Sequence, residues 1–137
     1  MALSFLLDTS VLKRLGHLDV RTVVEPLATT GQLGRPSICD LELGYSARNA
    51  EEWDRLVGAL DAFECVDTTA AHVHRALQVQ RLLAERSHRG RKIPDLLIAA
   101  AAEQLDVAVL HYDADFEVIA SITGQRCQWV VPAGSVN

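Results

Sequence analysis

Short apolar segments that alternate with longer amphipathic stretches constrain the fold of this chain most strongly. Each segment has about the length of a β-strand and lacks clean polar–apolar alternation, which is typical of strands buried on both faces. Strands of this kind, joined through helices, form parallel sheets that are covered on both sides. The pattern therefore predicts an α/β protein with three α/β/α layers around a mostly parallel central sheet. The predicted strands are residues 3–7, 35–38, 63–66, 107–110 and 128–131.

The stretches between these segments have helical periodicity. A chain of 137 residues suits one domain with its own core, so we predict a single domain over residues 1–137. Ser37, with Asp40 three residues on, resembles a capping box that opens a helix. The predicted helices cover residues 9–18, 20–29, a segment from 37 toward 48, 51–60, a long segment after 69, 96–105 and 113–123.

Composition and charge exclude several classes of protein. Hydrophobic residues make up 49% and charged residues 23%, which are values for a globular protein and not for a disordered one. No apolar run approaches the roughly 18 residues that span a bilayer, and the N-terminal segment lacks the basic region of a signal peptide. The widely spaced cysteines, Cys39, Cys65 and Cys127, match neither a zinc ribbon nor a disulfide framework. We therefore expect a cytoplasmic protein with reduced thiols and no membrane contact.

Acidic residues recur where the predicted strands end. Asp8 follows the first strand, Glu42 lies in the helix after the second, and Asp113 and Asp115 follow the fourth. Asp95 opens the helix that leads into the fourth strand, and the 18 residues from Asp95 to Asp113 allow one helix out and one strand back. Because functional groups on parallel sheets gather outside the carboxyl ends of the strands, we expect all five carboxylates at one edge.

Two interpretations of these acids are open. An aspartate at a helix start is commonly a cap worth about 1 kcal/mol, and Asp8, Asp95 and Asp113 each stand where a predicted helix begins. Four or five carboxylates at one edge would, however, repel one another unless cations neutralise them. Ligand sets made only of oxygen suit Mg²⁺, with Mn²⁺ as a substitute, rather than Zn²⁺. The second interpretation predicts a divalent-metal site.

The ordered motifs resemble those of the PIN-domain family and, within it, the VapC toxins of bacterial toxin–antitoxin pairs. The resemblance spans nearly the whole chain and implies a metal-dependent endoribonuclease that hydrolyses phosphodiester bonds in RNA. It also implies a homodimeric toxin that a cognate VapB-type antitoxin neutralises. The motifs are Asp8-Thr9-Ser10-Val11, Leu41-Glu42-Leu43-Gly44, Pro94-Asp95-Leu96-Leu97-Ile98-Ala99-Ala100 and Asp113-Ala114-Asp115-Phe116.

The same resemblance assigns roles to individual residues. It implies that Asp8, Glu42, Asp95 and Asp113 form the catalytic acidic quartet, which binds metal together with Asp115, and that Ser10 hydrogen-bonds within the site. Two ions are implied: one held by the first three acids, and a second held by Asp95, Asp113 and Asp115. The chain departs from many members of the family at His111, where they carry threonine.

A basic segment stands directly before Asp95, although the net charge of the chain is −5. Two divalent ions would add +4 and leave about −1. The segment has two open interpretations, which are a loop that binds the RNA backbone and a solvated loop without a partner. Its basic residues are Arg86, Arg89, Arg91 and Lys92.

Three other protein classes share parts of this pattern. A response-regulator receiver needs an acidic pair after its first strand and a lysine after its fifth, and this chain has one acid and no lysine there. A flap-type DNA nuclease needs additional elements for which the chain is too short. A catalytically inactive PIN-like module that binds RNA or protein is the alternative that stays open, although such proteins usually lose part of the acidic set.

Overall fold

One five-stranded sheet organises residues 2–88 and 90–137, which the computed structural model describes. Its strands are β1 (Phe5–Leu7), β2 (Leu33–Pro36), β3 (Glu64–Val66), β4 (Ala108–His111) and β5 (Cys127–Trp129). They pair in the order β3-β2-β1-β4-β5, and every pair of neighbours is parallel. The sheet is therefore wholly parallel within the described residues, where the sequence predicted a mostly parallel one.

Helices connect the strands and complete the three layers. They are α1 (Thr9–Leu12), α2 (Leu18–Thr29), α3 (Ser37–Tyr45), α4 (Ala50–Gly58), α5 (Ala70–Glu85), α6 (Ile93–Leu105) and α7 (Asp115–Thr123), and a 3₁₀ turn covers Ala59–Ala62. Right-handed crossovers place α1–α4 on one face of the sheet and α5–α7 on the other. The last three helices accordingly pack against one another. Within the part of the chain described, no helix is both long and apolar enough to cross a membrane.

The strand order reverses between β1 and β4, and this reversal positions the site. Leu6 and Leu7 of β1 and Val109 and Leu110 of β4 are fully buried, so these two central strands lie in the hydrophobic core. Neighbouring crossovers leave in opposite directions from this point, which opens a crevice at the carboxyl ends of the two strands.

Two local predictions are wrong. The helix predicted over 9–18 ends at Leu12, and a separate helix begins at Leu18. Ser37 does not cap α3, because Pro36 occupies the capping position and Ser37 is the first helical residue. The hydroxyl of Ser37 instead accepts the Thr68 backbone N–H at 3.0 Å. Asp40 forms an ion pair with Arg35 at 3.0 Å.

Candidate active site

An acidic pocket of about 240 Å³ opens at the carboxyl ends of β1 and β4. Four predicted site acids, Asp8, Glu42, Asp95 and Asp113, line it together with Ser10. The other lining residues are Thr9, Lys13, Arg14, Lys92 and Tyr112. The crossover topology thus brings together acids that are separated by up to 105 positions in the chain, from Asp8 to Asp113.

Asp8 is buried and its side chain is fixed by the start of α1. One oxygen, Oδ2, accepts the Ser10 backbone N–H at 3.0 Å and also the Ser10 hydroxyl. Asp8 is therefore a helix N-cap, as one of the two interpretations predicted, and it faces the pocket as well. The Ser10 oxygen accepts the Tyr112 N–H at 2.9 Å, which ties the end of β1 to the end of β4.

Thr9 orients Glu42. Its buried hydroxyl donates to Glu42 Oε1 at 2.8 Å, across the gap between α1 and α3. Glu42 is half-buried, and burial raises the pKa of its carboxyl, with the nearby charge of Asp8 acting in the same direction. The side chain is thus held in one position at a site where ionisation is disfavoured unless a cation is near.

Asp95, Asp113 and Asp115 form the tightest group of acids. Each offers a carboxylate oxygen, and these three oxygens all lie within 4.8 Å of one another. Among the described residues this is the single group of three or more potential metal ligands that meets this distance. Asp8 and Glu42 line the same pocket without belonging to this group, and Ser10 and Thr9 hydrogen-bond to their carboxylates.

Asp95 gives the strongest reason to expect a cation at this site. Its side chain is only 3% exposed, and its Oδ2 is buried without a hydrogen-bond donor among the described residues. Burial, followed by the charges of Asp8 and Asp113, raises the pKa of Asp95 to about 8. A buried carboxylate oxygen without a donor is costly, and a divalent cation bound by oxygen ligands would compensate it. The residues present therefore fit a hard divalent metal.

Two basic side chains contact the outer acids of this group. Lys92 Nζ lies 2.7 Å from Asp113 Oδ2, and Arg91 Nη1 lies 2.8 Å from Asp115 Oδ1. Partial burial of Asp113 opposes ionisation, but the hydrogen bond from Lys92 and a bond from the Asp115 N–H prevail and lower the pKa of Asp113. The three acids thus differ: Asp113 and Asp115 have cationic partners, and Asp95 has none among the described residues.

His111 lies beneath the acidic loop and is fully buried. Its Nδ1 accepts the Asp113 backbone N–H at 3.1 Å, and its ring packs against Phe116 and Trp129 with centroid distances of 5.1 and 4.9 Å. Burial lowers the pKa of His111 to about 4, so the imidazole is neutral at pH 7. The structure therefore gives this histidine a supporting place under the loop.

The predicted basic loop is only partly at the site. Arg91 and Lys92 reach the acids, whereas Arg86 ends α5 as an exposed capping residue. Arg89 lies outside the described residues. Sequence reasoning did not single out Thr9, Arg14 or Tyr112 as site residues. Thr9 stands within the Asp8-Thr9-Ser10 motif, which was the available signal, while Arg14 and Tyr112 carry no motif of their own.

Known proteins resemble this chain in sequence and in fold. The family model described as PIN domain matches residues 5–122. Ribonuclease VapC51 of Mycobacterium tuberculosis (strain ATCC 25618 / H37Rv) is 63% identical over 137 residues, which cover 100% of both chains. Ribonuclease VapC21 of the same strain is 45% identical, over 98% of this chain and 99% of the relative. The crystal structure of VapBC2 from Rickettsia felis, bound to a DNA fragment from their promoter, shares the fold: its TM-score is 0.77 at 18% identity, over 93% of this chain and 98% of the other.

Proposed function

Because the chain belongs to the PIN-domain family and, within it, to the VapC ribonucleases, we propose that it is a toxin that cleaves RNA internally with a divalent metal. The observation that carries the proposal is the group of Asp95, Asp113 and Asp115, in which Asp95 also has a buried oxygen without a hydrogen-bond donor among the described residues. Such a set of oxygen ligands favours Mg²⁺, with Mn²⁺ as a substitute.

Some residues of the site would bind metal, and others hold the carboxylates in position. Asp95, Asp113 and Asp115 would hold an ion, which when bound supplies an activated water and stabilises charge on phosphate oxygens. A second ion would use Asp95 with Asp8 and Glu42, as the resemblance implies. Ser10 and Thr9 fix the carboxylates of Asp8 and Glu42, so these acids need little rearrangement to act.

The basic side chains at the pocket rim would bind the phosphate backbone of the RNA substrate. Lys13, Arg14 and Lys92 line the pocket beside the acids, and Arg91 lies next to Asp115. Their positive charges attract the phosphate backbone, which an acidic pocket alone would repel. A ribonuclease toxin of this kind acts in the cytoplasm, where its substrate is, and the three cysteines of the chain are free, as such a compartment favours.

A cleavage assay tests this function. Purified protein should cut structured RNA in Mg²⁺ or Mn²⁺, EDTA should abolish the cleavage, and excess Mg²⁺ should restore it. An Asp95→Asn variant prepared in parallel controls for contaminating ribonucleases, since a contaminant would persist in it. Undiminished cleavage in chelator would refute the metal mechanism. Metal binding without any cleavage would favour the inactive PIN-like RNA- or protein-binding module.

The proposed partners are a VapB-type antitoxin and a second copy of the chain. The support for the antitoxin is that similar folds are found in VapBC complexes, such as that of Rickettsia felis. Co-expression with the short reading frame next to the toxin gene should give a complex that does not cleave RNA. Light scattering on the free toxin should give twice the mass of the 15.0 kDa chain. A monomer would exclude the homodimer and leave the antitoxin untouched.

A further inference from the structure

Arg14 is the arginine of the acidic pocket, and it pairs with no Asp or Glu side chain among the described residues. It lines the pocket beside Asp8 and Asp113. Arg91 and Lys92 are already engaged by Asp115 and Asp113, but no ion pair among the described residues includes Arg14. None of the pocket's own carboxylates therefore competes with an anion that approaches Arg14.

The guanidinium of Arg14 is held on three sides. Nη1 donates to the Ser10 carbonyl and Nε donates to the main-chain oxygen of Asn137, both at 2.8 Å. The guanidinium carbon also lies 4.6 Å from the centroid of the Tyr112 ring. The Ser10 carbonyl and the Tyr112 ring are neutral, so these two contacts orient the guanidinium without cancelling its charge.

The end of the chain stabilises this arrangement. The Tyr112 hydroxyl donates to the Val136 carbonyl at 2.8 Å and accepts the Val136 N–H at 3.2 Å. Tyr112 itself is tied to Ser10 through its backbone N–H. The ring beneath Arg14, the last residues of the chain and the start of α1 thus form one hydrogen-bonded unit, and Nη2 of Arg14 has no hydrogen-bond partner among the described residues.

We propose that Arg14 binds a phosphate group of the RNA at the rim of the acidic pocket, an inference that rests on the proposed ribonuclease function. A guanidinium presents planar N–H donors that match phosphate oxygens, and a fixed one loses little conformational freedom when it binds. Arg14 supplies attraction beside Asp8 and Asp113, where the backbone of the substrate must come close to carboxylates.

The test measures RNA affinity against salt concentration in an Asp95→Asn background, which holds RNA without cutting it. Arg14→Gln should weaken the binding of a labelled single-stranded RNA about tenfold, as for the loss of one charge-assisted hydrogen bond. The slope of log affinity against log salt should become shallower by about 0.7. Arg126→Gln is the matched control: Arg126 precedes β5 at the opposite edge of the sheet, and it should change neither quantity.

Two further variants separate charge from structure. Arg14→Lys keeps the charge and should keep the salt slope while losing part of the affinity. Tyr112→Phe removes the bonds to Val136 but keeps the ring, so RNA binding should be retained. Mn²⁺ affinity, measured by calorimetry in chains that carry Asp95, should be equal with and without Arg14→Gln.

Defined outcomes overturn the inference. An unchanged salt slope in Arg14→Gln, while the wild-type chain cleaves RNA, refutes the role of Arg14 and leaves the ribonuclease function standing. Equal losses in Tyr112→Phe and Arg14→Gln would show that the tail, not the charge, matters. Weaker antitoxin binding with intact RNA binding would assign Arg14 to the partner. If the wild-type chain neither binds nor cleaves RNA, both the proposed function and this inference fail.

Discussion

At the scale of single residues, Asp95 differs from its neighbours because its carboxyl is buried and lacks a cationic partner in the described chain. Asp113 and Asp115 each have one, in Lys92 and Arg91. The pKa of Asp95 is raised by burial next to other acids, and carboxyl groups with such raised pKa values are frequent at functional sites. The consequence is that the five predicted acids are not equivalent.

Asp95→Asn should lower the cleavage rate by about 100-fold or more, the usual cost of losing a central electrostatic group. Asp115→Asn should cost less, because Asp115 does not line the pocket as Asp95 does and already shares its charge with Arg91. Initial rates on one RNA substrate measure both, and circular dichroism confirms that the variants fold. A wild-type rate for Asp95→Asn would contradict the assignment.

Lys92→Gln should tighten Mn²⁺ binding several-fold, because Lys92 and a metal ion compete for the carboxylate of Asp113, whose Oδ2 the lysine contacts. The lysine lies 2.7 Å from that oxygen, and a divalent ion gains more from it than a monovalent one does. Titration calorimetry on the free protein measures the affinity. Lys13→Gln is the matched control, since Lys13 lines the same pocket and forms no ion pair among the described residues. Equal tightening of Mn²⁺ binding in both variants would show that the effect comes from the overall charge of the pocket and not from competition at Asp113.

The acids could be predicted from the sequence and Arg14 could not, for a physical reason. Four of the predicted acids follow a strand or stand in the first turn of a helix, and Glu42 lies in the helix after the second strand, so chain topology brings all five to the carboxyl edge. Arg14 acquires its place through the main-chain oxygen of Asn137 and the Tyr112 ring, 123 and 98 positions away in the chain. Contacts at that separation leave no local pattern. The pairing of Lys92 with Asp113 escaped prediction for the same reason.

At the scale of secondary-structure elements, β2 positions α3 and therefore Glu42, and its packing is tight at Gly34. A Cβ atom added at Gly34 would lie 2.9 Å from Leu6 Cδ2 and 3.0 Å from Leu3 Cδ1. Both neighbours lie on the β1 side of the sheet, where Leu6 is fully buried. The absence of a side chain at Gly34 is thus what lets β2 approach β1.

Gly34→Ala should destabilise the protein by about 1–3 kcal/mol, as overpacking in a core does. Gly58→Ala is the control, because Gly58 has helical backbone angles and a Cβ there would meet nothing within 4 Å. That control should be neutral or stabilise by up to ~1 kcal/mol. Urea unfolding of the two variants measures the difference. Equal midpoints would show that β1 and β2 shift apart without cost.

The order and type of most elements followed from the sequence, because apolar runs and helical periodicity are local. The errors came where tertiary contacts decide. The first helix ends at Leu12, and the chain then turns through Gly16 before α2 begins at Leu18. Ser37 resembled a cap, yet its hydroxyl is used by Thr68, 31 positions away, and Pro36 takes the capping position.

At the scale of the whole molecule, the carboxyl edge concentrates acids on a chain that is already negative. The net charge is −5, and burial raises the pKa values of Asp8, Glu42 and Asp95. Without a cation, bringing these acids together therefore opposes folding, and it opposes folding more strongly when the acids are ionised. Metal binding would reverse that cost, because the ion binds the ionised form and only in the folded chain.

The metal-free protein should lose stability as pH rises from about 6.5 to 8. Asp95 has a pKa of about 8 in the folded chain and an ordinary value of 3.8, so its protonated form favours folding, and that contribution disappears as the pH rises through the folded pKa. The lowered pKa of Asp113 acts in the opposite direction, but only at lower pH, because that carboxyl is already ionised in both the folded and the unfolded chain above about pH 5. The lowered pKa of His111, about 4 against an ordinary 6.5, also opposes the trend, but only below about pH 6.5, above which this imidazole is neutral in both states. Thermal melts in EDTA at pH 6.5, 7.5 and 8.5 measure the trend.

Excess Mg²⁺ should flatten or invert this pH dependence, since its binding needs ionised carboxylates and strengthens as the pH rises. Asp95→Asn should abolish the dependence in EDTA and the response to Mg²⁺ together. Asp106→Asn makes the same chemical change at an exposed residue. The backbone of Asp106 is left-handed, a conformation that asparagine tolerates, so this variant should retain both the pH dependence and the response to Mg²⁺. A flat profile for the wild-type chain in EDTA would show that the acids at the sheet edge stay ionised without cost. The buried, donor-free oxygen of Asp95 would then no longer argue for a bound cation.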